Sequence, residues 1–446
     1  MREMKDSGIE WIGEIPSDWI INRIKFVADL FNGDRGKNYP SGDDLVDDGI
    51  VFLSSNNIHD VVLDVSPEKS KYITNEHYKL LAGAKIKIND IIYCLRGSVG
   101  LCAINQSASE GTIASSLLDI RPKNVSPKFL NYYLQSPANT IQTLMNMNGS
   151  CASNLSAENV ANYYLIEPPI NEQNKIANYL DQKCSEIDAI TKDIQTQIDT
   201  LEQYKRSVIT EAVTKGLDPD VEMKDSGIEW IGKIPKNWKT AKLKYAIGML
   251  TDYTANGSFA DLAKNVEYHD FEDHARLIRL TDLRENLNNP GVYVNNEAYN
   301  YLSKSKLFGG EVLVANVGAY AGLFCEMPVI DRPATLGPNM FLIRANSNIT
   351  NHFLFYIGNS FIVCEQLSQK AFSAAQPKLN KTDVKTIHLI IPPKEEQQII
   401  TTFLDNKCSE VDILIKDKQQ QLSTLSDYKK SLIYEYVTGK KEVPAQ

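Results

Sequence analysis

The sequence predicts an α+β protein: two globular α/β domains of similar plan, separated by a long antiparallel two-helix coiled coil. Three observations carry that reading. An opening segment occurs twice, a heptad-patterned tail occurs twice, and strand-like runs fall in matching order between them. The opening MKDSGIEWIGEIPSDW (4–19) returns as MKDSGIEWIGKIPKNW (223–238), with thirteen of sixteen positions identical. PPINEQNKIANYLDQKCSEIDAITKD (168–193) returns as PPKEEQQIITTFLDNKCSEVDILIKD (392–417), and LEQYKRSVITEAVT (201–214) as LSDYKKSLIYEYVT (425–438). Duplication on this scale marks a repeated architecture. It divides the chain into a first domain at 1–167, a first helix at 168–217, a second domain at 218–391, and a second helix with its tail at 392–446.

The first domain and its copy carry short β-favouring runs punctuated by Gly, Asn and Asp. IVFLSS (50–55), AKIKINDIIYCLRGSVG (84–100) and GTIASSLLDIRP (111–122) are followed by a short helix, SPKFLNYYLQSP. The second half offers ARLIRLTD (275–282), GGEVLVANVGAYAGLFC (309–325) and ATLGPNMFLIRA (334–345), then NHFLFYIGNSFI. Each middle region therefore reads as mixed α/β structure rich in strands.

The tails have helical periodicity. Leu180, Ile187, Ile194, Leu201 and Val208 recur every seven residues, as do Leu404, Val411, Lys418, Leu425 and Leu432. Ile176, Cys184, Ile190, Ile198 and Tyr204 fill the adjoining stripe of the first tail, and Ile400, Cys408, Leu414, Leu422 and Tyr428 that of the second. Sustained heptads with charged flanks predict a coiled coil. Paired prolines suit the helix entrances, and Gly216 and Gly439 the exits. A 44-residue helix is about 65 Å long. Its apolar stripe needs a partner, and the natural one is its own copy, running back antiparallel with the two domains at opposite ends. Symmetry about the middle of the heptads would set Lys418 opposite Ile194.

Composition narrows the function. With 43% hydrophobic and 23% charged residues, the chain is an ordinary globular one. No signal-peptide pattern and no apolar run near 20 residues is present, so a cytoplasmic protein is expected, with no membrane partner. Seven scattered cysteines without a CxxC pair read as reduced thiols, and the six histidines show no metal-ligand spacing. A net charge of −9 argues against a sequence-blind nucleic-acid binder. No GxGxxG or GxxxxGK[ST] loop occurs. The repeated Asp181-x-Lys183 and Asp405-x-Lys407 lie on the long helices and read as solvated charge. The sequence supports a binder rather than an enzyme, with no cofactor or metal of its own.

These pieces, in this order and twice over, resemble the specificity subunit of a type I restriction-modification enzyme. The resemblance rests on the KDSGIEWIGEIPxxW opening at 5–19 and 224–238 and on the PPxxEQxxIxxxLD helix start at 168–181 and 392–405. It extends to LRGSVG (95–100) and ANVGAYAG (315–322), to TIASSLLDIRP and TLGPNMFLIRA, and to GSCASNLSAENV (149–160) and FSAAQPKLNKTDV (372–384). Two departures stand out: Ala152-Ser153 replaces the family's Gln-Pro, and Phe372 replaces its Gly. The resemblance implies two target-recognition domains, each reading half of a bipartite, asymmetric site on double-stranded DNA, with the helices as spacer. It also implies two methylation subunits bringing S-adenosylmethionine, and restriction subunits in the full complex, so that ATP and Mg belong to partner subunits.

Base edges are read chiefly by Arg on guanine and by Asn or Gln on adenine, while Lys, Arg, Ser and Thr hold phosphates. On the loops of the first domain those residue types fall at Asn56, Asn57, Arg96, Ser98, Ser115, Ser116, Ser150 and Asn154. In the second the candidate contact residues are Arg279, Thr281, Asn316, Tyr320, Asn339, Gln376, Lys378 and Lys381. Trp11, Trp19, Trp230 and Trp238 sit in the repeated opening and read as packing anchors. Two other classes compete: a coiled-coil scaffold without DNA, which leaves two divergent domains unused, and an anti-restriction DNA mimic, which needs continuous acidic runs that are absent.

Overall fold

The computed structural model describes residues 2–59, 61–147, 154–371 and 377–444. The chain forms two compact units, Met1–Gln195 with Gln420–Gln446, and Thr196–Gln419. Each long helix is therefore shared: its first part belongs to one unit and its last part to the other.

In the first unit a four-stranded antiparallel sheet runs Cys102–Ile104, Ile91–Cys94, Leu117–Pro122, Ala28–Asn32. Every residue of its strand Ile91–Cys94 is buried, and alternation divides them between two faces. Ile91 and Tyr93 join the core that includes the long helices, while Ile92 and Cys94 join a smaller core beneath the second sheet. That second sheet runs Gly111–Ile113, Ile50–Leu53, Lys71–Ile73, Leu45–Val46, with its first pair parallel. The second unit repeats the plan. Its antiparallel sheet is Ile247–Asp252, Met340–Ala345, Val312–Ala315, Phe324–Glu326, and its mixed sheet pairs Ala275–Ile278 in parallel with Ala334–Leu336.

The long helices span Ile170–Lys215 and Lys394–Val437. Both end before a glycine at positive φ, Gly216 at 80° and Gly439 at 72°, as the exits require. In the first unit Asp188 pairs with Lys429 at 2.5 Å, and Tyr179 packs on Tyr436. In the second, Lys205 pairs with Asp412 at 2.6 Å. Numbering rises on one helix as it falls on the other, so each unit holds an antiparallel pair. Asp412 and Lys429 are the repeat copies of Asp188 and Lys205, so one ion pair is built twice by the internal symmetry.

The seam follows the expected heptads with two corrections. Leu180, Ile187, Ile194, Leu404, Val411 and Leu432 are buried, and Leu201, Val208, Lys418 and Leu425 half-buried. Ile190, Leu414, Tyr204 and Tyr428, however, are 49–54% exposed. The 3–4 alternation that keeps a stripe on one face continues from Cys184 through Thr191, Ile198 and Lys205 instead. The register also shifts. The contacts of Tyr179 and Asp188 bring Ile194 level with residues 421–423, not with Lys418, because the mirrored ion pairs set the stagger.

The repeated motifs form the joints of each unit. Trp19 and Trp238, 1% and 0% exposed, donate from their indole N–H to Glu172 (2.9 Å) and Glu396 (2.6 Å) on the helix start. The adjoining Gln173 and Gln397 are buried. Each accepts from a backbone N–H before the short helix, Ser126 (2.7 Å) and Thr350 (2.9 Å). This explains the Glu-Gln of the helix-start motif: a carboxylate for the opening tryptophan, an amide for the domain. Trp230 departs from the anchor expectation at 60% exposed, whereas Trp11 is covered by the C-terminal region, its carbonyl accepting from Tyr434 Oη at 3.0 Å. Asp181 and Asp405 also differ from the solvated-charge expectation. Asp181 accepts from Tyr132 Oη (2.9 Å) and Lys128 Nζ (2.6 Å), and Asp405 from Tyr356 Oη (2.7 Å) and His352 Nε2 (2.8 Å). Lys183 and Lys407 do remain on the surface, paired with Glu186 and Glu410.

His352 stands where the first unit has Lys128, and its Nδ1 donates to Glu326 at 2.8 Å. The Glu326 hydrogen bond, with Asp405 assisting against burial, holds its pKa up at about 9. A folded-state pKa raised above the usual ~6.5 contributes stability that is complete below ~6.5 and lost as pH rises through about 9. Thermal unfolding of the second unit from pH 6.5 to 10 should therefore show a decline that His352→Lys flattens, since lysine keeps its charge to about 10.4. An equal decline in both proteins would remove His352 as the cause.

Asp119, fully buried, occupies the sheet position that Leu342 fills in the second copy. Burial and then the Asp90 charge push its carboxyl above the ordinary range, against the opposing effect of Arg121. Such a group costs stability increasingly as pH rises past the usual carboxylate range. Asp119→Leu should stabilise the first unit by about 1–3 kcal/mol above neutral pH, and less near pH 4, in denaturant titrations.

Candidate nucleic-acid interface

Antiparallel pairing brings several chain segments to one edge of the first domain. Strand Ile91–Cys94 ends there at Leu95-Arg96, strand Ala28–Asn32 ends there at Gly33, and strand Leu117–Pro122 begins there after Ser116. Strands Ile50–Leu53 and Gly111–Ile113 are parallel, so Ser54–Asn57 and Ala114-Ser115 leave their sheet at its own common edge. Sheet topology thus gathers loops far apart in sequence.

One hydrogen-bonded cluster centres on consecutive carbonyls. Ser116 O accepts from the backbone N–H of Leu95 (2.8 Å) and Arg96 (3.3 Å), and Leu155 N–H donates to Leu95 O at 3.0 Å. Arg96 is exposed and its Nε donates to Asn154 Oδ1 at 3.2 Å. Ser115 O accepts from Nη2 of Arg35 at 3.3 Å. Ser98 lies exposed in the adjoining turn, whose Gly97 has φ 78°. Asn56 is exposed, but Asn57 is 1% exposed. Its Nδ2 donates to Asp64 O (3.0 Å) and Lys69 O (3.3 Å), and its Oδ1 accepts from Ser54 N (2.8 Å). Asn57 therefore holds its turn from the inside. Ser150 lies outside the described residues.

The second domain gathers Asn316, Asn339, Lys378 and Lys381 around one cleft of about 670 Å³, with Phe259 and Asp252 on its wall. Asn316 N–H donates to Asn339 O (3.1 Å) and Leu379 N–H to Asn316 O (2.8 Å). Asn316 Oδ1 is buried without a hydrogen-bond partner among the described residues, and Asn339 sits at φ 66°, a region asparagine tolerates. Lys378 is exposed, while Lys381 pairs with Asp252 at 2.9 Å. Three other expected residues land elsewhere. Arg279 is occupied by Asp282, Nε at 3.0 Å and Nη2 at 2.9 Å. Burial pushes Asp282 up, but the bonds from Arg279 and Asn289 outweigh it and hold the carboxylate below its usual range. Thr281 is exposed on the short helix Leu280–Arg284, and the exposed Tyr320 lies under the Arg284 guanidinium at 4.1 Å. Gln376 lies outside the described residues.

Arg35 and Arg284 were not picked out in the sequence. Arg35 meets Ser115 across 80 residues, which no local pattern encodes. No group of His, Cys, Asp or Glu able to hold a metal ion occurs among the described residues, and no helix there is long and apolar enough to cross a membrane. The six described cysteines are free thiols. The arrangement is one of exposed guanidinium, amide and lysine donors at strand ends, groups suited to hydrogen bonding with base edges and phosphates.

Comparison with known proteins agrees. The family model for the type I restriction modification DNA specificity domain matches residues 16–200 and 278–424. The chain is 23% identical over 443 residues to the type I restriction enzyme MjaVIII specificity subunit of Methanocaldococcus jannaschii, covering 96% of this chain and 93% of that protein. It is 23% identical over 455 residues to the type I restriction enzyme StySPI specificity subunit of Salmonella potsdam, covering 97% and 91%. A solved chain, described under complex assembly and conformational transition of the type I R-M system, has the same fold. Its TM-score is 0.68 at 15% identity, with 96% and 99% of the two chains covered.

Gly33 permits the approach of the Arg35 loop, since a Cβ there would stand 2.3 Å from Ala114 O and 2.6 Å from Ile113 O, both backbone atoms. Gly33→Ala should cost about 1–3 kcal/mol in thermal or denaturant unfolding. Unchanged stability would show that the loop does not rest on this strand end.

Proposed function

The chain belongs to the family of type I restriction modification DNA specificity domains, and from that premise we propose that it is the non-catalytic reader of its complex. Each domain reads one half of a bipartite, asymmetric site on double-stranded DNA, and the helix pair fixes the spacing between the halves. Two methylation subunits dock on the repeated parts, and restriction subunits join in the full complex. S-adenosylmethionine, ATP and Mg are held by those partners, and the assembly works in the cytoplasm.

One observation carries the reading: the joints are built twice while the tips differ. The Trp–Glu bond, the buried Gln and the Asp–Lys pair recur in both units. The loop ends carry Arg96 and Ser116 in one domain and Val317 and Asn339 in the other. A duplicated frame suits identical partners, and divergent tips suit different bases. Phosphate contacts would supply register and salt-dependent affinity, and base edges the selectivity.

Selection from a random-sequence duplex library, with the full chain and co-expressed methylation subunits, should recover two unlike half-sites separated by a fixed spacer. Recovery without sequence preference would refute the proposal. Deleting one heptad from each long helix should change the spacer and leave both half-sites intact, whereas altered half-sites at an unchanged spacer would refute the helices as ruler.

A further inference from the structure

The two domains share one tip geometry and put different chemistry on it. An isolated antiparallel bridge joins Arg96 to Asn154 in the first, and the same bridge joins Val317 to Lys378 in the second. The surrounding backbone bonds match as well: Leu155 to Leu95 O and Leu379 to Asn316 O, Leu95 to Ser116 O and Asn316 to Asn339 O. These positions are therefore structurally equivalent, and they carry different side chains.

In the first domain, backbone and side-chain contacts fix the base of Arg96. Its Nε is turned toward Asn154 Oδ1, and no carboxylate pairs with it among the described residues. Arg35 is anchored one residue away on the same platform, through Ser115 O. Its neighbour Asp34 is already engaged, accepting from Gly36 N (2.6 Å) and Ala82 N (2.9 Å). Those backbone bonds, Gly36 first, hold that carboxylate below its usual range. Two arginines thus rise from adjacent carbonyls, Arg96 through its backbone N–H on Ser116 O and Arg35 through its guanidinium on Ser115 O, and neither has an acidic partner among the described residues. A guanidinium held at Nε keeps both Nη groups available as a fork, the geometry that matches guanine O6 and N7. The second domain has Val317 in place of Arg96. Counting from the aligned strand ends Asn32 and Asp252, it has Ala255 in place of Arg35. Its nearby Arg279 is already occupied by Asp282.

Resting on the reading above, we infer that the first domain recognises a guanine through Arg96, with Asn154 as the positioning residue and Arg35 beside it, while the second domain has no arginine at the equivalent tip positions. The two halves of the target then differ at the equivalent point: one contains a guanine whose N7 is essential there, and the other meets Val317 and Lys378 instead.

The test uses the full chain with methylation subunits and the duplex recovered by selection. Replacing each guanine of the first half-site by 7-deazaguanine, which lacks the N7 acceptor, should weaken wild-type binding about tenfold or more at one position. Arg96→Ala and Arg96→Lys should lose discrimination at that same position, and the 7-deaza substitution should then cause no further loss. Asn154→Ala should give a smaller loss confined to that guanine. A first half-site lacking guanine overturns the inference. So does an Arg96→Ala variant that weakens all sequences alike and lowers the salt dependence by about one ion, the mark of a phosphate contact. Both results leave two-domain reading intact, whereas absence of any sequence preference removes that reading and this one together.

Discussion

Neither domain closes its core from its own strands. Leu432, Ile433, Tyr436 and Val437, at the end of the second long helix, lie in the core of the first unit beside Tyr133, Leu165 and Ile176. Ile209, Ala212 and Val213, at the end of the first helix, fill the corresponding place in the second unit beside Phe353, Leu389 and Ile400. A buried aliphatic side chain contributes about 1.5–3 kcal/mol, so each contribution is a sizeable share of a domain's marginal stability. Everything else hangs on this exchange. The helices pair antiparallel because each must start in one core and finish in the other. The loops proposed to read DNA are held by strands whose inner face packs on that shared core.

The repeated residues gain meaning from this constraint. Glu172 and Gln173 stand where the opening segment, the domain and the helix meet, and so do Glu396 and Gln397. Asp181 and Asp405, about two turns further on, fasten each long helix to the short helix of its domain. Such joints must be identical if two copies of one partner are to meet equivalent surfaces, and they lie away from the tips, which are free to diverge. Arg96 and Val317 are two outcomes of that freedom on one backbone.

Much of this was legible in the sequence because it is written twice or written locally. The duplication, the helix bounds, the exits at Gly216 and Gly439 and the order of strands all follow from patterns within a few tens of residues. The seam was legible to within one position: Ile190 and Tyr204 are exposed because the 3–4 alternation places Thr191 and Lys205 at the seam instead. What depends on distant partners was not legible. The bond from Arg35 to Ser115 spans 80 residues, and the stagger that separates Ile194 from Lys418 is set by ion pairs more than 200 residues apart. Asp282, three residues after Arg279, was close enough to have been suspected as its partner. Trp230 shares its sequence context with Trp11 and yet stays exposed. In the first unit the Trp11 carbonyl accepts from Tyr434, whose repeat copy is Thr210.

The most direct test of the shared-core account is hydrogen exchange on a chain truncated after Tyr428. That removes Leu432 through Val437 and leaves the helical segment that serves the second unit. The account predicts that strands Ile91–Cys94 and Leu117–Pro122 lose their protection while Val312–Ala315 and Met340–Ala345 keep theirs. Equal protection of both sheets, or equal loss in both, would contradict it.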